Sequence, residues 1–312
     1  MFRSSPLLQA GQVAHLDSGL RLHYASCGNP GAPLILFVHG FPEFWYAWRE
    51  FMPALASDFH VVAPDLRGYN LSDKPTDVDQ YQMLFLVADL IQLMDSLGHE
   101  QARIVAHDWG GMIAWAAAIA MPRRFRAAMI MNAPHPVIFA RALAANPEQQ
   151  SASRYMNRLR APGFERELLA NQCAGFERFF CAPGFERWFT PAVAAEYRSA
   201  WQQPGAARAA LNYYRASPVY PPQGRDAGAA ALSLDPARHQ LKIPIRMLWG
   251  MRDSALRPGL LAGLEQFVPD LEIQRIENAT HWLHHEQTGL VASKIQDFAN
   301  EFANNEQSPN DN

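Results

Sequence analysis

Residues 105–111 read VAHDWGG and set Asp108 in a frame of small residues, with Ala106 before it and Gly110 and Gly111 after it. Such a frame lets a strand turn sharply into a helix, because nothing bulky stands where the two cross, and it holds the central side chain up at the turn. A hydroxyl usually occupies that place; here it is a carboxylate. The chemistry changes accordingly. A serine that attacks an sp³ carbon is left as a stable ether, dead after one turnover. A carboxylate is left as an ester, whose carbonyl water can then attack. With an ordinary pKa of about 3.9 it also needs no base to ionise it. In this frame Asp108 points to displacement at alkyl rather than acyl carbon. Without the frame, an Asp at a strand end is as readily a helix cap.

Other candidate groups follow other apolar runs. His39-Gly40-Phe41-Pro42 comes after 34–38, Asp253 lies in WGMRDSAL after 245–249, and His281 lies in ENATHWLHHEQ after 271–276. Nucleophile, then acid, then histidine is the chain order of a known hydrolytic triad. The rival acid position, after 128–132, holds Asn132, which carries no charge. His284 and His285 are expected on the following helix as surface or helix-end residues. HWLHHE suggests a metal site only superficially, because no separated third ligand with a clear motif accompanies it. A Gly-Phe turn after a strand can aim the Phe41 N–H at a developing oxyanion, and Trp109, next after Asp108, supplies a second N–H. His39, Phe41, Pro42, His107 and Trp109 are the expected pocket residues. Phe44, Trp45, Tyr46 and Trp48 are read as packing.

These groups need a scaffold that gathers strand ends. Apolar runs at 20–26, 34–40, 60–65, 103–108, 128–134, 245–250 and 271–276 read as strands, each closed by polar, Gly or Pro punctuation. Helical-length segments fall at 44–56, 81–97, 110–121, 257–267 and 288–303. Strands alternating with helices imply an α/β chain with a mostly parallel sheet covered on both faces. Ligands in open α/β sheets bind beyond the carboxyl ends of the strands, which is where the candidate residues lie. Residues 135–236 break the alternation and read as an all-helical insertion, a cap over that edge. It divides the core into 1–134 and 237–312. GFER occurs three times in the cap, at 163, 175 and 184, with unequal spacing; these read as helix starts, not a repeat.

The 312 residues, 49% hydrophobic and 18% charged, suffice for one large domain with an insertion. A net charge of −3 argues against nucleic acid or an anionic membrane surface as partner. No apolar run spans a bilayer, and MFRSSPLLQAGQ lacks the apolar core of a signal peptide. The tail NNEQSPNDN reads as frayed. Cys27, Cys173 and Cys181 give neither a disulfide framework nor metal spacing, so three free thiols in a reducing cytoplasm are expected.

From about residue 14 to 300 the sequence resembles the soluble epoxide hydrolases of the α/β-hydrolase superfamily. The resemblance rests on His39-Gly40-Phe41-Pro42, DLRGYNLSDKP (65–75), HDWGG (107–111), LNYYRA (211–216), the Asp253 segment and THWLHHEQ (280–287). Asn70 departs from the glycine usual in that family, but Asn tolerates positive φ. The resemblance implies an α/β-hydrolase fold with a mostly parallel eight-stranded sheet. It implies Asp108 as nucleophile and His281 as the base that activates water, with Asp253 orienting its ring. It further implies two cap tyrosines that donate to the opening epoxide oxygen, Tyr155 seven residues before Pro162 and Tyr214 in LNYYRA, with Tyr213 as the alternative if the register slips by one. The expected partner is a small-molecule epoxide substrate and the expected assembly a monomer or homodimer, with no cofactor or metal.

Dehalogenases also displace at alkyl carbon with Asp. Against them, the residue after His39-Gly40 is Phe41, not Asn, and Trp109 and Met112 stand where haloacetate enzymes carry Arg. Ester hydrolysis and ligand binding without turnover are the remaining readings.

Overall fold

The computed structural model describes residues 8–302 apart from Pro183; the 304–312 tail and the first seven residues lie outside this range. Eight strands form one sheet: β1 (Gln9–His15), β2 (Arg21–Cys27), β3 (Leu34–Val38), β4 (His60–Pro64), β5 (Ala102–His107), β6 (Phe125–Met131), β7 (Ile245–Gly250) and β8 (Leu271–Ile276). Their spatial order is β1-β2-β4-β3-β5-β6-β7-β8. The pairings from β4 to β8 are parallel, and β2 joins β1 and β4 antiparallel. β1 is the strand that hydrophobic patterning misses. QAGQVAH is an edge strand, largely exposed, with Gly11 in its middle, so no apolar run marks it.

β3, β4 and β5 are buried along their whole length. Period-2 alternation divides their side chains between two layers. Leu34, Leu36, Val38, Ile104 and Ala106 pack into one apolar cluster; Ile35, Phe37 and Val105 pack into the other. After β3 the chain moves outward to β4, then returns to lay β5 on the other flank of β3. The reversal opens a crevice between the carboxyl ends of β3 and β5. His39-Gly40-Phe41 leaves one end and Asp108 the other.

α1 (Met83–Ser96), α2 (Trp109–Ala120) and, near the C-terminus, a long helix at Thr288–Glu301 cover the sheet. The stretches 44–56 and 257–267 are not full helices. Each is a pair of 3₁₀ turns, Trp45–Trp48 with Met52–Leu55, and Pro258–Leu261 with Leu264–Gln266. Pro53 in the first, and Gly259 with Gly263 at φ +84° in the second, interrupt α-helical continuity.

Between β6 and β7 run α3 (Pro136–Ala145), α4 (Pro147–Ala152), α5 (Arg154–Leu159), α6 (Glu165–Glu177), α7 (Pro191–Trp201) and α8 (Ala206–Ala216); among the described residues no strand interrupts them. Of the three GFER stretches, the first runs into the start of α6, the second lies in α6 after a left-handed kink, and the third is Gly184 followed by the 3₁₀ turn Phe185–Arg187. α9 (Leu283–Glu286) and α10 (Thr288–Glu301) close the chain. No helix among the described residues is long and apolar enough to cross a membrane.

Candidate active site

Asp108 joins β5 to α2 at φ +51°, a backbone conformation that costs a non-glycine residue of order 1 kcal/mol or more. The small neighbours make the turn possible. A Cβ on Gly110 would stand 2.1 Å from the Val38 carbonyl oxygen, and one on Gly40 would stand 2.4 Å from the Asp108 Cβ. Only glycine lets α2 start this close to β3 and lets the loop after β3 pass the carboxylate.

That loop brings the Phe41 N–H to Asp108 Oδ1 at 2.8 Å. Asp108 Oδ2 lies 3.5 Å from His281 Nε2. The other ring nitrogen, Nδ1–H, donates to Asp253 Oδ2 at 2.7 Å. Asp253 is itself pinned: its Oδ1 accepts from the Ala255 and Leu256 N–H groups, and Asn132 Nδ2 donates to its Oδ2 at 2.6 Å. Asn132, which sequence reading sets aside for lack of charge, also accepts from the Gly250 N–H. It fixes the acid's position where it could not replace it. Among the described residues Phe41 supplies the backbone N–H bonded to the Asp108 carboxylate; the Trp109 N–H stands beside it as the first amide of α2.

Burial pushes the Asp108 carboxyl up, but the His281 bond and charge and the Phe41 N–H outweigh it and hold the group below its ordinary value. Burial likewise pushes His281 down. The Asp253 and Asp108 carboxylates overcome this and raise the imidazole to about 10. The resting site is an imidazolium between two carboxylates.

Across from Asp108 stand Tyr155 on α5 and Tyr214 on α8, their rings 6.3 Å apart and crossed at 76°. Tyr214 packs edge-on against Phe41 at 5.3 Å and Trp109 at 5.2 Å. Burial raises both phenols above their ordinary range, as does the nearby Asp108 charge, so both stay protonated. Tyr213, the alternative register, has its hydroxyl committed to the Arg67 carbonyl at 2.8 Å. Two cavities, of about 690 and 410 Å³, meet at this point; Asp108, Tyr155 and Tyr214 line both.

Phe41 lines the smaller cavity and Trp109 the larger. The other expected pocket residues stand behind these walls. His39 Nε2 accepts from the Leu66 N–H, so its Nδ1–H is left for the Gly40 carbonyl. The Pro42 carbonyl accepts from Trp201, and His107 Nε2–H donates to the His281 carbonyl at 2.9 Å. Their polar atoms support the site without facing a ligand.

His284 and His285 are not surface residues. His284 is fully buried, and both donate to the Glu43 carboxylate, at 3.1 and 2.7 Å. Tyr197 of α7 donates to it as well, at 2.8 Å. Burial pushes Glu43 up, but His284 and His285 more than compensate and hold it well below its ordinary value. Glu43, His107 and His284 each bring a ligand atom within 4.8 Å of the others, so HWLHHE does have distant partners able to hold a metal ion. In this arrangement the histidines and Tyr197 already occupy both carboxylate oxygens. Sequence reading passed over Glu43, four residues after His39; a carboxylate amid aromatics was its one signal.

The comparisons with known proteins agree with this geometry. The family model for the alpha/beta hydrolase fold matches residues 33–288. The chain is 34% identical to the AB hydrolase superfamily protein YfhM of Bacillus subtilis, over 90% of this chain and 95% of that one. It is 31% identical to mouse epoxide hydrolase 4, over 91% and 78% respectively. It superposes on the crystal structure of a Bacillus megaterium epoxide hydrolase in complex with an inhibitor at a TM-score of 0.84, with 33% identity, 93% of this chain and 100% of that one. A mutant of that enzyme complexed with its product, (R)-3-[1]naphthyloxy-propane-1,2-diol, superposes at 0.83 with 32% identity. By the family model over residues 33–288 and these relatives, the chain belongs to the epoxide hydrolases of the α/β-hydrolase superfamily.

Proposed function

We propose that this protein opens an epoxide with water to give a vicinal diol. The observation that carries the reading is the junction at Asp108. An ionised carboxylate, backed by a histidine–aspartate pair, faces two neutral phenols across a space that opens into both cavities. Asp108 attacks one oxirane carbon, and the C–O bond breaks toward Tyr155 and Tyr214, which donate to the departing oxygen. Phenols suit this role, since they are neutral at pH 7 yet acidic enough to donate strongly. A halide leaving group would need no such donors, which favours epoxide over halide. Esterification removes the Asp108 charge that helped keep His281 protonated, and the imidazolium releases its proton to solvent. In the second step the neutral His281 takes a proton from water, and the hydroxide attacks the ester carbonyl of Asp108. The developing oxyanion forms on the oxygen that the Phe41 N–H already holds, with the Trp109 N–H as second donor. Asp253 holds the imidazolium through Nδ1 until the proton returns.

The relatives named epoxide hydrolase, and the diol product bound in one of them, support the substrate class. The helices between β6 and β7 support residues 135–236 as a cap set on a core of 1–134 and 237–312. Three free cysteines, two buried and one exposed, support a reducing cytoplasm. The protein acts as a monomer or homodimer and needs no cofactor.

A single turnover in ¹⁸O-water tests the mechanism. The first diol should carry ¹⁶O taken from Asp108, with the label left in the carboxylate. Fully labelled first-turnover diol would make Asp108 a base for direct attack by water. Halide release without diol formation from a matched panel would replace the reading with a dehalogenase.

A further inference from the structure

The two cavities that meet at Asp108 differ in chemistry. The larger is walled by Met112, Ala116, Ile119, Phe139, Val219 and Leu234. The smaller runs past His281, Phe179 and Thr280 to Arg178 and Arg252. Both arginines are exposed, so they stand at its outer end. Asp108, at the inner end, is its one acidic wall residue. Neither guanidinium is paired with a carboxylate among the described residues; Arg252 donates to the neutral Asn278 amide at 2.9 Å. Both cavities lie within the ordinary range of ligand sites, about 300–1,000 Å³. An oxirane held by Asp108, Tyr155 and Tyr214 therefore has room for a substituent on each side.

We propose that the substrate of this chain is an epoxide substituted on both carbons, with a hydrocarbon arm in the larger cavity and an arm in the smaller one that ends in an anionic group held by Arg178 and Arg252. The proposal rests on the epoxide reading of Asp108. Two uncompensated cations at a cavity mouth raise the local concentration of anions. They also place the anion at the end of the arm away from the Asp108 carboxylate, where it does not oppose ionisation of the nucleophile. Because the arginines are exposed, salt screens their attraction.

A matched pair of probes tests this. One is a trans-epoxide bearing hexyl on one carbon and a butanoate on the other; its partner is the same molecule as the primary amide, nearly isosteric and neutral. In wild-type protein at low salt, kcat/KM for the carboxylate should exceed that for the amide by about tenfold, the scale of two exposed ion pairs. Added salt should shrink the ratio. R178Q/R252Q should bring it to about one, and R178E/R252E should invert it. A ratio near one in wild-type protein, or a preference that survives in R178Q/R252Q, overturns the proposal. Styrene oxide separates the two levels of inference. Diol from styrene oxide with a ratio of one sinks only the anionic arm. No diol from styrene oxide or from either probe sinks the epoxide reading and the proposal with it.

Discussion

On the proposed mechanism, His281 must change its charge within one catalytic cycle. At rest it is an imidazolium, held near 10 against burial by Asp253 and Asp108. A general base has to be neutral. On that mechanism, alkylation of Asp108 would convert one of those two carboxylates to an uncharged ester, so the first step would itself lower the pKa of the base needed for the second. His281→Gln should therefore still be alkylated but should not turn over, and intact-mass spectrometry should find the protein heavier by one substrate. A folded variant that binds substrate without gaining mass would put His281 in the first step. The same raised pKa carries a stability signature. The contribution is fully present below the unfolded value of about 6.5 and is lost as pH rises through about 10. Over that window the Tm of wild-type protein should fall more steeply than that of His281→Gln; parallel curves would mean His281 is neutral at rest. That Asp108, Asp253, His281 and Phe41 would gather at one crevice was legible because each lies at or within a few residues of a strand's carboxyl end. Glu43 and Asn132 were not. Their meaning lies in partners 241 and 121 residues away, and no local pattern joins them.

The two phenols sit on separate short helices, so their spacing depends on how α5 and α8 are tied. Arg160, just after α5, donates to the carbonyls of Tyr214, Arg215 and Ser217, and its guanidinium lies 3.7 Å over the Tyr220 ring. It fills the carbonyls that the end of α8 leaves without helical partners. Arg215 of α8 returns the link, donating to the Ala161 carbonyl and to Glu165, each at 3.0 Å. Removing one phenol, as in Tyr155→Phe or Tyr214→Phe, should slow alkylation by up to about 10²-fold, and removing both should cost far more. Arg160→Ala, which touches neither phenol's hydroxyl, should slow the same step by roughly tenfold, because a misplaced donor is a weak one. Lysine should recover only part, since an ammonium lacks the planar face that the guanidinium lays over the Tyr220 ring. Stopped-flow tryptophan fluorescence reports the step, with Trp109 beside Tyr214. Unchanged alkylation in Arg160→Ala would show that packing alone holds the two helices. Most elements were readable from strand-end punctuation. The exceptions were β1, whose exposed edge has no apolar run, and the 3₁₀ pairs, where proline or glycine breaks an otherwise helical pattern.

At the scale of the molecule, the helices between β6 and β7 are fastened to the core at a few polar points around the cavities. Trp201 donates to the Pro42 carbonyl at 2.6 Å, Trp282 to the Phe179 carbonyl at 2.9 Å, and Tyr213 to the Arg67 carbonyl. The deepest point is Glu43, where the loop after β3, Tyr197 of α7 and the histidines of α9 converge on one buried carboxylate. A carboxylate in that position is tolerable only while its donors remain, because burying a charge without hydrogen bonds is costly. Tyr197→Phe removes one donor and keeps the ring. A hydrogen bond to a charged group contributes about 1.5–3 kcal/mol, and the remaining histidines place this loss at the lower end. In a chain of this size the Tm should fall by roughly 2 °C. α7 walls neither the larger nor the smaller cavity, so diol turnover measured well below the transition should stay within about twofold of wild type. That pattern keeps the rate, whereas Arg160→Ala is expected to slow alkylation. An unchanged Tm would mean that the histidines alone satisfy Glu43. A large loss of turnover in folded Tyr197→Phe would mean that the seat of all the helices between β6 and β7, and not only the α5–α8 link, sets the reach of the two tyrosines to the proposed epoxide oxygen.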